Sequence, residues 1–266
     1  MISGLEDSLL SIASAGDVAQ MRALLTTRQE PPSEETIQNA LTAAIKSSHL
    51  DILKFMLHQY PFTSLNEEIV RGAVNTGSIS IFETLLARDP SIINMQFDRR
   101  GTPLVVACMG QQKIQYLKFL LDAGADPNQD PDAAAFPLAL VAALYSDPAV
   151  IDLLLHYGAH LERSGALAAA ARRGNETMLL RLLDRGARLE DDAPDVSNDT
   201  PPLHIAVKSG HLGVVRILLK HGADIHTTDA KGFTAIDVLR QMRADGKDVS
   251  EMSEILGEDS GQGNTI

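Results

Sequence analysis

The chain has few of the residues that form aromatic cores and too few cysteines for a disulfide. It contains no tryptophan, 4% aromatic residues and one cysteine, Cys108. A single cysteine cannot form an internal disulfide, and a reactive thiol would need a neighbouring base that the sequence does not identify. Because Cys108 follows Ala107 inside a predicted helix, we expect it to be a small, buried packing residue.

Positive charge is scarce as well. The chain has 23 Lys and Arg residues against 35 Asp and Glu residues, which gives a formal net charge of −12. Non-specific binding to nucleic acid depends on a basic surface that displaces counterions from the phosphates. The charge balance therefore argues against nucleic acid as a partner.

Long apolar segments and targeting signals are missing too. No run approaches the roughly 18 uninterrupted apolar residues of a membrane-spanning helix. Residues 1–10, MISGLEDSLL, carry acidic residues where a secretory signal would be basic. We expect a soluble protein of the cytoplasm or nucleus that has no membrane partner.

The motifs of the common enzyme classes are also absent. The sequence contains no HExxH, no GxSxG, no Walker loop and no strand-led GxGxxG. His156 and His160 have the spacing of two metal ligands on one helix face, but Gly158 and Ala159 end the helix between them. We predict no catalytic residue, no metal and no cofactor.

A repeated pattern of apolar and small residues extends along the chain. The first apolar residues of successive predicted first helices are 32, 29, 34, 34, 29, 36 and 33 residues apart. These residues are Leu9, Leu41, Val70, Leu104, Leu138, Leu167, Leu203 and Ile236. The spacing predicts eight helix pairs, and alanines at equivalent positions predict that neighbouring pairs pack closely.

The clearest repeat is TPPLHIAVKSGHLGVVRILLKHGAD at residues 200–224. The Thr200 hydroxyl is predicted to cap its first helix, and Gly210 and Gly222 suit helix ends that need a left-handed residue. This segment resembles the ankyrin repeat, a unit of about 33 residues. The resemblance implies an all-α fold, an ankyrin-repeat solenoid of about eight helix-turn-helix units with short β-hairpin fingers. It also implies that the His204 imidazole hydrogen-bonds to backbone and to the threonine of its tetrad.

The pattern predicts a single solenoid domain over residues 1–256. Polar, atypical repeats at 1–30 and 229–256 are predicted to cap its two ends. Residues 257–266 have no apolar periodicity, so we expect a disordered tail there.

Three connections depart from the regular pattern. The 29-residue spacings before Val70 and Leu167 leave too few residues for a full hairpin, so the row of fingers should be interrupted there. The connection before Leu203, LEDDAPDVSNDTPP, is longer than usual and strongly acidic. These departures either shape a local notch near repeats five to seven or reflect tolerated loop variation.

The resemblance implies a non-catalytic protein-protein interaction module that binds another protein on its concave face. It places candidate contacts after the alanines of the first helices and in the fingers: Met109, Tyr145, Arg172, Arg173 and Lys208, and Arg99, Arg100, Lys231 and Phe233. Tyrosine and arginine are frequent among residues that dominate binding energy. We therefore predict that the concave face of repeats four to seven binds an acidic and apolar peptide or loop.

Two other functions stay open at this point. A regulatory subunit that masks a partner's surface has the same sequence signature as an adaptor or scaffold. An unusual enzyme or small-molecule-binding protein could use the concave groove, and Tyr145, Arg172, Arg173 and His204 would then be mutated first. A monomer is expected, because a capped solenoid buries its own ends.

Overall fold

A computed structural model describes residues 3–27, 30–129, 136–189 and 200–258. It divides the chain into two compact units, Met1–Asp132 and Ala133–Ile266. Within the described residues, each unit is built of four helix pairs, which makes the eight pairs that the sequence spacing predicts. The all-α repeat fold is therefore confirmed.

The first unit contains helices α1 to α8 and one short 3₁₀ helix. Their bounds are α1 Ser3–Ala15, α2 Val18–Thr26, α3 Glu34–Lys46, α4 Leu50–Gln59, α5 Glu67–Thr76, α6 Ile79–Arg88, the 3₁₀ helix Pro90–Asn94, α7 Pro103–Met109 and α8 Ile114–Asp122. The first helices of the pairs stack in the order α1, α3, α5, α7, and the second helices α2, α4 and α6 form a parallel row.

The second unit contains helices α9 to α16. Their bounds are α9 Pro137–Leu144, α10 Ala149–His156, α11 Ala166–Arg173, α12 Glu176–Asp184, α13 Pro202–Ser209, α14 Leu212–Lys220, α15 Ala235–Ala244 and α16 Ser250–Leu256. First helices stack in the order α9, α11, α13, α15, and second helices in the order α10, α12, α14, α16.

Small residues make this stacking possible. The predicted contact alanines are fully buried: Ala13, Ala44, Ala73 and Ala107 in the first unit, and Ala142, Ala170 and Ala206 in the second. A methyl side chain lets two helix backbones approach closely, so each pair buries its apolar stripe against the next pair. A larger side chain at these positions would force neighbouring first helices apart.

Glycines end several first helices in the left-handed conformation. Gly210 follows α13 with φ +76°, and Gly222 lies in the turn after α14 with φ +93°, as predicted. Ser48 and Gln111 occupy comparable turns with φ +61° and +50°, although they carry side chains. The turn geometry is thus kept even where glycine is replaced.

Three of the aromatic residues form a cluster in the first unit. Phe82 of α6 packs edge-on against Tyr116 and Phe119 of α8, with ring centroids 6.4 and 6.3 Å apart. The Tyr116 hydroxyl is buried without a hydrogen-bond partner, and burial raises the pKa of this phenol well above its usual value. The cluster joins α6 to α8 by ring packing.

Hairpin fingers occur at two places in the described residues. Single antiparallel bridges join Phe97 to Gly101 and Thr228 to Thr234. Neither short connection, before Val70 or before Leu167, contains such a bridge. The acidic connection before Leu203 lies mostly outside the described residues.

The predicted cap of α13 is wrong. The N-cap residue is Pro201 rather than Thr200, and no side chain caps this helix. In contrast, Thr102 of α7 and Thr234 of α15 accept hydrogen bonds from the backbone N–H groups of Val105 and Asp237. One proline separates the threonine from the leucine at the start of α7, but two prolines do so at the start of α13. Pro201, which has no hydroxyl, therefore occupies the N-cap position of α13.

The C-terminal boundary also differs in detail from the sequence prediction. Gly257 ends α16 with φ +68°, and the Glu258 side chain accepts hydrogen bonds from Arg240 and Arg243 at 2.8 and 3.1 Å. These two residues of the predicted tail therefore make defined contacts. Residues 259–266 lie outside the described part of the chain.

Candidate functional site

Four of the predicted contact residues lie at the C-terminal ends of consecutive first helices in the second unit. Tyr145 is the C-cap residue of α9, Arg172 and Arg173 form the last turn of α11, and Lys208 lies in the last turn of α13. Tyr145 is half-buried and the three cationic side chains are exposed. We refer to these four residues as the helix-end patch.

Asn175 fastens the end of α9 to the end of α11. It follows the turn residue Gly174, and its Nδ2 group donates to the backbone oxygens of Ala142 at 3.2 Å and Tyr145 at 2.7 Å. Its Oδ1 atom accepts from the backbone N–H of Met178 and so caps α12. One side chain thus fixes both the start of α12 and the position of Tyr145.

His211 makes the equivalent connection from α13 to α11. Its Nε2 group donates to the backbone oxygen of Arg172 at 3.1 Å. Its ring lies over Gly174, where a Cβ atom would be 2.6 Å from His211 Nδ1. The last turns of α11 and α13 are therefore held side by side, and with them Arg172 and Lys208.

The same connection recurs in the first unit. His49 Nε2 donates to the backbone oxygen of Ser14 at 2.9 Å, and Gln112 Nε2 donates to those of Val74 and Asn75 at 3.2 Å each. The sequence correctly predicted structural roles for His49 and His211. It missed Asn175 and Gln112, although all four residues lie eight positions after the first apolar residue of their repeat. That shared register was the available signal.

Among the described residues, the cations of the helix-end patch have no ion pair, whereas several arginines of the second helices in this unit are neutralised by carboxylates. Asp152 of α10 pairs with Arg181 and with Arg185, the latter at 2.8 Å. The Arg181 hydrogen bond is the main reason that the pKa of Asp152 is lowered and that of Arg181 raised.

Arg216 of α14 is paired in the same way with Glu251 of α16 at 3.2 Å. No ion pair within the described ranges involves Arg172, Arg173 or Lys208. The helix-end patch is therefore a local cationic surface on an acidic chain.

Lys231 and Phe233 lie on the hairpin before α15. Asp229 organises this hairpin, because its carboxylate accepts from the backbone N–H groups of Lys231 and Phe233 at 2.9 Å each. The Lys231 side chain is exposed, and Phe233 is 48% exposed. The backbone oxygen of Phe233 accepts from Nε2 of His204 at 2.8 Å, which attaches the hairpin to the start of α13.

The remaining predicted contacts belong to the first unit. Arg99 and Arg100 are exposed at the tip of the hairpin from Phe97 to Gly101, where Arg99 has φ +56°. Glu67 supports this hairpin by accepting from the backbone N–H of Asp98 at 3.0 Å. Met109, the last residue of α7, is 53% exposed. These residues form a set of their own within the first unit.

The candidate reactive groups are buried and used for packing. Cys108 is fully buried, and burial raises the pKa of its thiol to about 12, so it is not a thiolate near neutral pH. His204 is only 1% exposed, and its Nδ1 atom has no hydrogen-bond partner. His204 bonds to backbone as the resemblance implies, but it has no threonine partner because Pro201 occupies that position.

The described part of the chain has neither a metal-binding cluster nor a membrane-spanning helix. No three His, Cys, Asp or Glu side chains there are grouped so that they could hold a metal ion. None of the helices in those residues combines the length and the apolar character needed to cross a bilayer.

Comparison with known proteins identifies the repeats. The family model for three copies of ankyrin repeats matches residues 138–229, and the model for a single ankyrin repeat matches residues 101–131. The segment matched by three copies includes the helix-end patch, and the other begins at Gly101, the last residue of the hairpin of the first unit.

Relatives share the repeats over part of their length. SH3 and multiple ankyrin repeat domains protein 2 of Homo sapiens is 35% identical over 129 residues, which is 46% of this chain and 7% of that protein. Ankyrin repeat protein nuc-2 of Neurospora crassa is 25% identical over 253 residues, 82% of this chain and 22% of that protein. ARF GTPase-activating protein GIT2 of Homo sapiens is 38% identical over 78 residues, 29% of this chain and 10% of that protein.

The chain thus spans less than a quarter of each of these relatives. On these matches and on its fold, the chain belongs to the ankyrin repeat family.

Proposed function

We propose that the chain is a non-catalytic protein-interaction module, an adaptor, scaffold or regulatory subunit, and that its second unit binds an acidic segment of a partner protein at the helix-end patch. The observation that carries the proposal is the set of three exposed cations, Arg172, Arg173 and Lys208, which have no ion pair among the described residues of a chain of net charge −12. Elsewhere in this unit, neighbouring carboxylates neutralise five arginines, which are Arg181, Arg185, Arg216, Arg240 and Arg243. Unpaired cations beside a tyrosine suit a partner with acidic and apolar residues.

The rigidity of the patch supports the same function. Asn175 and His211 connect three consecutive helix ends through backbone oxygens. A surface held in this way loses little conformational entropy on binding, which favours affinity. Ankyrin repeats in general mediate protein-protein binding, so the family is consistent with this function.

The finger residues extend the proposal. In the second unit, Lys231 and the half-exposed Phe233 add a cation and an aromatic side chain on the next hairpin. In the first unit, we propose Arg99, Arg100 and Met109 as a further contact surface with its own cationic and apolar groups. The enzyme alternative loses its candidate base, because His204 is buried and bonded to backbone.

The proposal is tested by affinity purification of the tagged chain, followed by mass spectrometry of the proteins that copurify. Arg172→Glu combined with Arg173→Glu is expected to remove the specific partner, because both cations become repulsive. Lys220→Glu, an equal change per residue at the end of α14, is the matched control and should retain it. Partner recovery that is unchanged by the double substitution would contradict the assignment of the patch.

A further inference from the structure

The helix-end patch presents positive charge at a regular spacing. Arg172 and Lys208 each lie five residues after the first apolar residue of their repeat, Leu167 and Leu203. They are carried by α11 and α13, which pack directly against each other. Axes of packed helices are about 8–10 Å apart, so equivalent residues on the two helices repeat at about that distance.

The spacing is held by a specific contact. His211 lies in the turn after α13 and donates to the backbone oxygen of Arg172, the patch residue on α11. Neither helix end can slide along the other without breaking this hydrogen bond. The two cationic positions, Arg172 and Lys208, are therefore held at a fixed spacing, and we call them the rungs of the patch.

The spacing matches one kind of partner backbone. A polyproline II segment has three residues per turn and rises about 3.1 Å per residue, so side chains three residues apart lie on one face about 9 Å apart. In a β-strand, residues three apart point to opposite faces. A strand would therefore not present two carboxylates to both rungs.

An α-helical partner also has a near match, because residues seven apart lie about 10 Å apart on one face. Helices usually dock by placing an apolar face in a hydrophobic groove. Next to Arg172, however, lie Gly174 and the imidazole of His211, which is hydrogen-bonded to the Arg172 backbone oxygen. Among the described residues of this unit, the exposed large apolar side chains are Leu180 on the second helix α12 and Phe233 on the hairpin, neither of which is on α11 or α13.

We propose that the helix-end patch recognises an extended, polyproline II-like acidic segment whose two carboxylates are three residues apart. The first carboxylate binds Arg172 or Arg173, whose guanidinium groups can donate two parallel hydrogen bonds, and the second binds the Lys208 ammonium. This inference rests on the proposed function and specifies the partner's chemistry.

The test is a fluorescence anisotropy titration of the full chain with labelled proline-rich peptides. One peptide has two glutamates three residues apart, a second has the same composition with the glutamates adjacent, and a third has glutamines in place of both glutamates. A fourth is an alanine-rich helix with glutamates seven residues apart. We expect the first peptide to bind about fivefold more tightly than the second, the scale of one additional surface ion pair.

Two variants show whether the fixed spacing of the rungs causes the tighter binding of the first peptide than of the second. Lys208→Gln should abolish the difference between the first two peptides but leave weaker binding through the arginines. Lys220→Gln, on the second helix of the same repeat, should leave the preference unchanged. Circular dichroism of each variant verifies that the helices are retained, which is expected because both lysines are exposed.

The possible results separate the two levels of the proposal. Equal binding of both extended acidic peptides, or tighter binding of the helical peptide, would overturn the spacing inference while acidic recognition at the patch stands. Binding of the glutamine peptide as tight as that of the acidic ones, or no binding of any peptide, would overturn both.

Discussion

At the residue scale, the most informative departure from the repeat pattern is Pro201. Its position before α13 is occupied by a threonine in α7 and α15, where the hydroxyl caps the helix. His204 Nε2 must carry a proton, because it donates to a carbonyl oxygen, so in the neutral imidazole Nδ1 is an acceptor. That acceptor is buried and has no donor, a deficit that costs stability.

Pro201→Thr is therefore expected to stabilise the protein. The new hydroxyl can donate to Nδ1 of His204 and accept from its backbone N–H, much as Thr234 donates to the Asp237 carboxylate and accepts from the Asp237 backbone N–H. We expect the free energy of unfolding in urea to rise by about 1 kcal/mol. Pro201→Val is the control, since valine has the shape of threonine without its hydroxyl. Equal stability of the two variants would show that the hydroxyl has no role.

At the element scale, the hydrogen bond that connects α13 to α11 depends on a glycine, because the His211 imidazole lies directly over the backbone of Gly174. Gly174 and Gly210 both have left-handed backbone, with φ +69° and +76°. A Cβ atom at Gly174 would be 2.6 Å from the His211 ring, whereas one at Gly210 would meet nothing within 4 Å. Alanine substitutions at the two glycines therefore measure different effects: backbone strain alone at Gly210, and backbone strain together with a steric clash at Gly174.

We expect Gly210→Ala to lower the free energy of unfolding by about 1 kcal/mol, the cost of left-handed backbone for alanine. Gly174→Ala should cost about 1 kcal/mol more, because the His211 ring must move from its hydrogen bond. Thermal and urea unfolding measure both. Adding His211→Ala to each variant should remove the difference, and a difference that persists would mean that the imidazole is not its cause.

In the second unit, the second helices α10 and α12 are joined by ion pairs, whereas the first helices are joined by the side-chain to backbone hydrogen bonds described above. Asp152 on α10 accepts from Arg181 and Arg185, and the Arg181 hydrogen bond lowers its pKa. Since the folded-state pKa lies below the unfolded value of about 4, this contribution is present above that pH. It is lost as the pH falls through the lower, folded-state value.

Asp152→Asn is accordingly expected to destabilise the protein by roughly 1 kcal/mol at pH 7. The difference from the wild type should shrink as the pH falls below about 4. Urea unfolding from pH 7 to pH 3 follows this change. Asp245→Asn, at the exposed C-cap of α15, is the control and should show neither the loss nor its pH dependence.

At the scale of the whole molecule, the last repeat differs from the others at the face where stacking stops. Ala142, Ala171 and Val207 are fully buried four residues after the first apolar residue of their repeats. The equivalent residue of α15 is Arg240, whose side chain is 61% exposed. Glu258, only 11% exposed, bridges Arg240 and Arg243. Charge thus replaces the apolar contact at the end of the stack.

Glu258→Gln is expected to loosen this end of the second unit. Both ion pairs would be lost, and we expect a decrease of roughly 0.5–1 kcal/mol in the free energy of unfolding at low salt, and less at high salt. Glu254→Gln changes the same charge on exposed α16 surface and should have little effect. If the two variants are equally stable, the bridge to the arginines does not support the cap.

Much of the fold and less of the site could be predicted from the residues. Helix pairs, contact alanines and turn glycines follow from local periodicity, and the structure confirms them. The cap of α13 could not be placed, because two consecutive prolines made the register ambiguous by one residue. Asn175 was missed because its partners, the backbone oxygens of Ala142 and Tyr145, are about 30 residues away in sequence.

The sequence by itself determined the repeat, since stacking requires the same small and apolar residues at every period and each period carries its own turn signals. Only the tertiary structure decided which charges are free. Arg172, Arg181 and Arg240 are similar in sequence terms, but among the described residues only Arg172 of these three has no ion pair. The reason is physical: whether an arginine is neutralised depends on which acidic residue packing brings beside it, which is Asp152 of the neighbouring repeat for Arg181 and Glu258 at the end of the same repeat for Arg240.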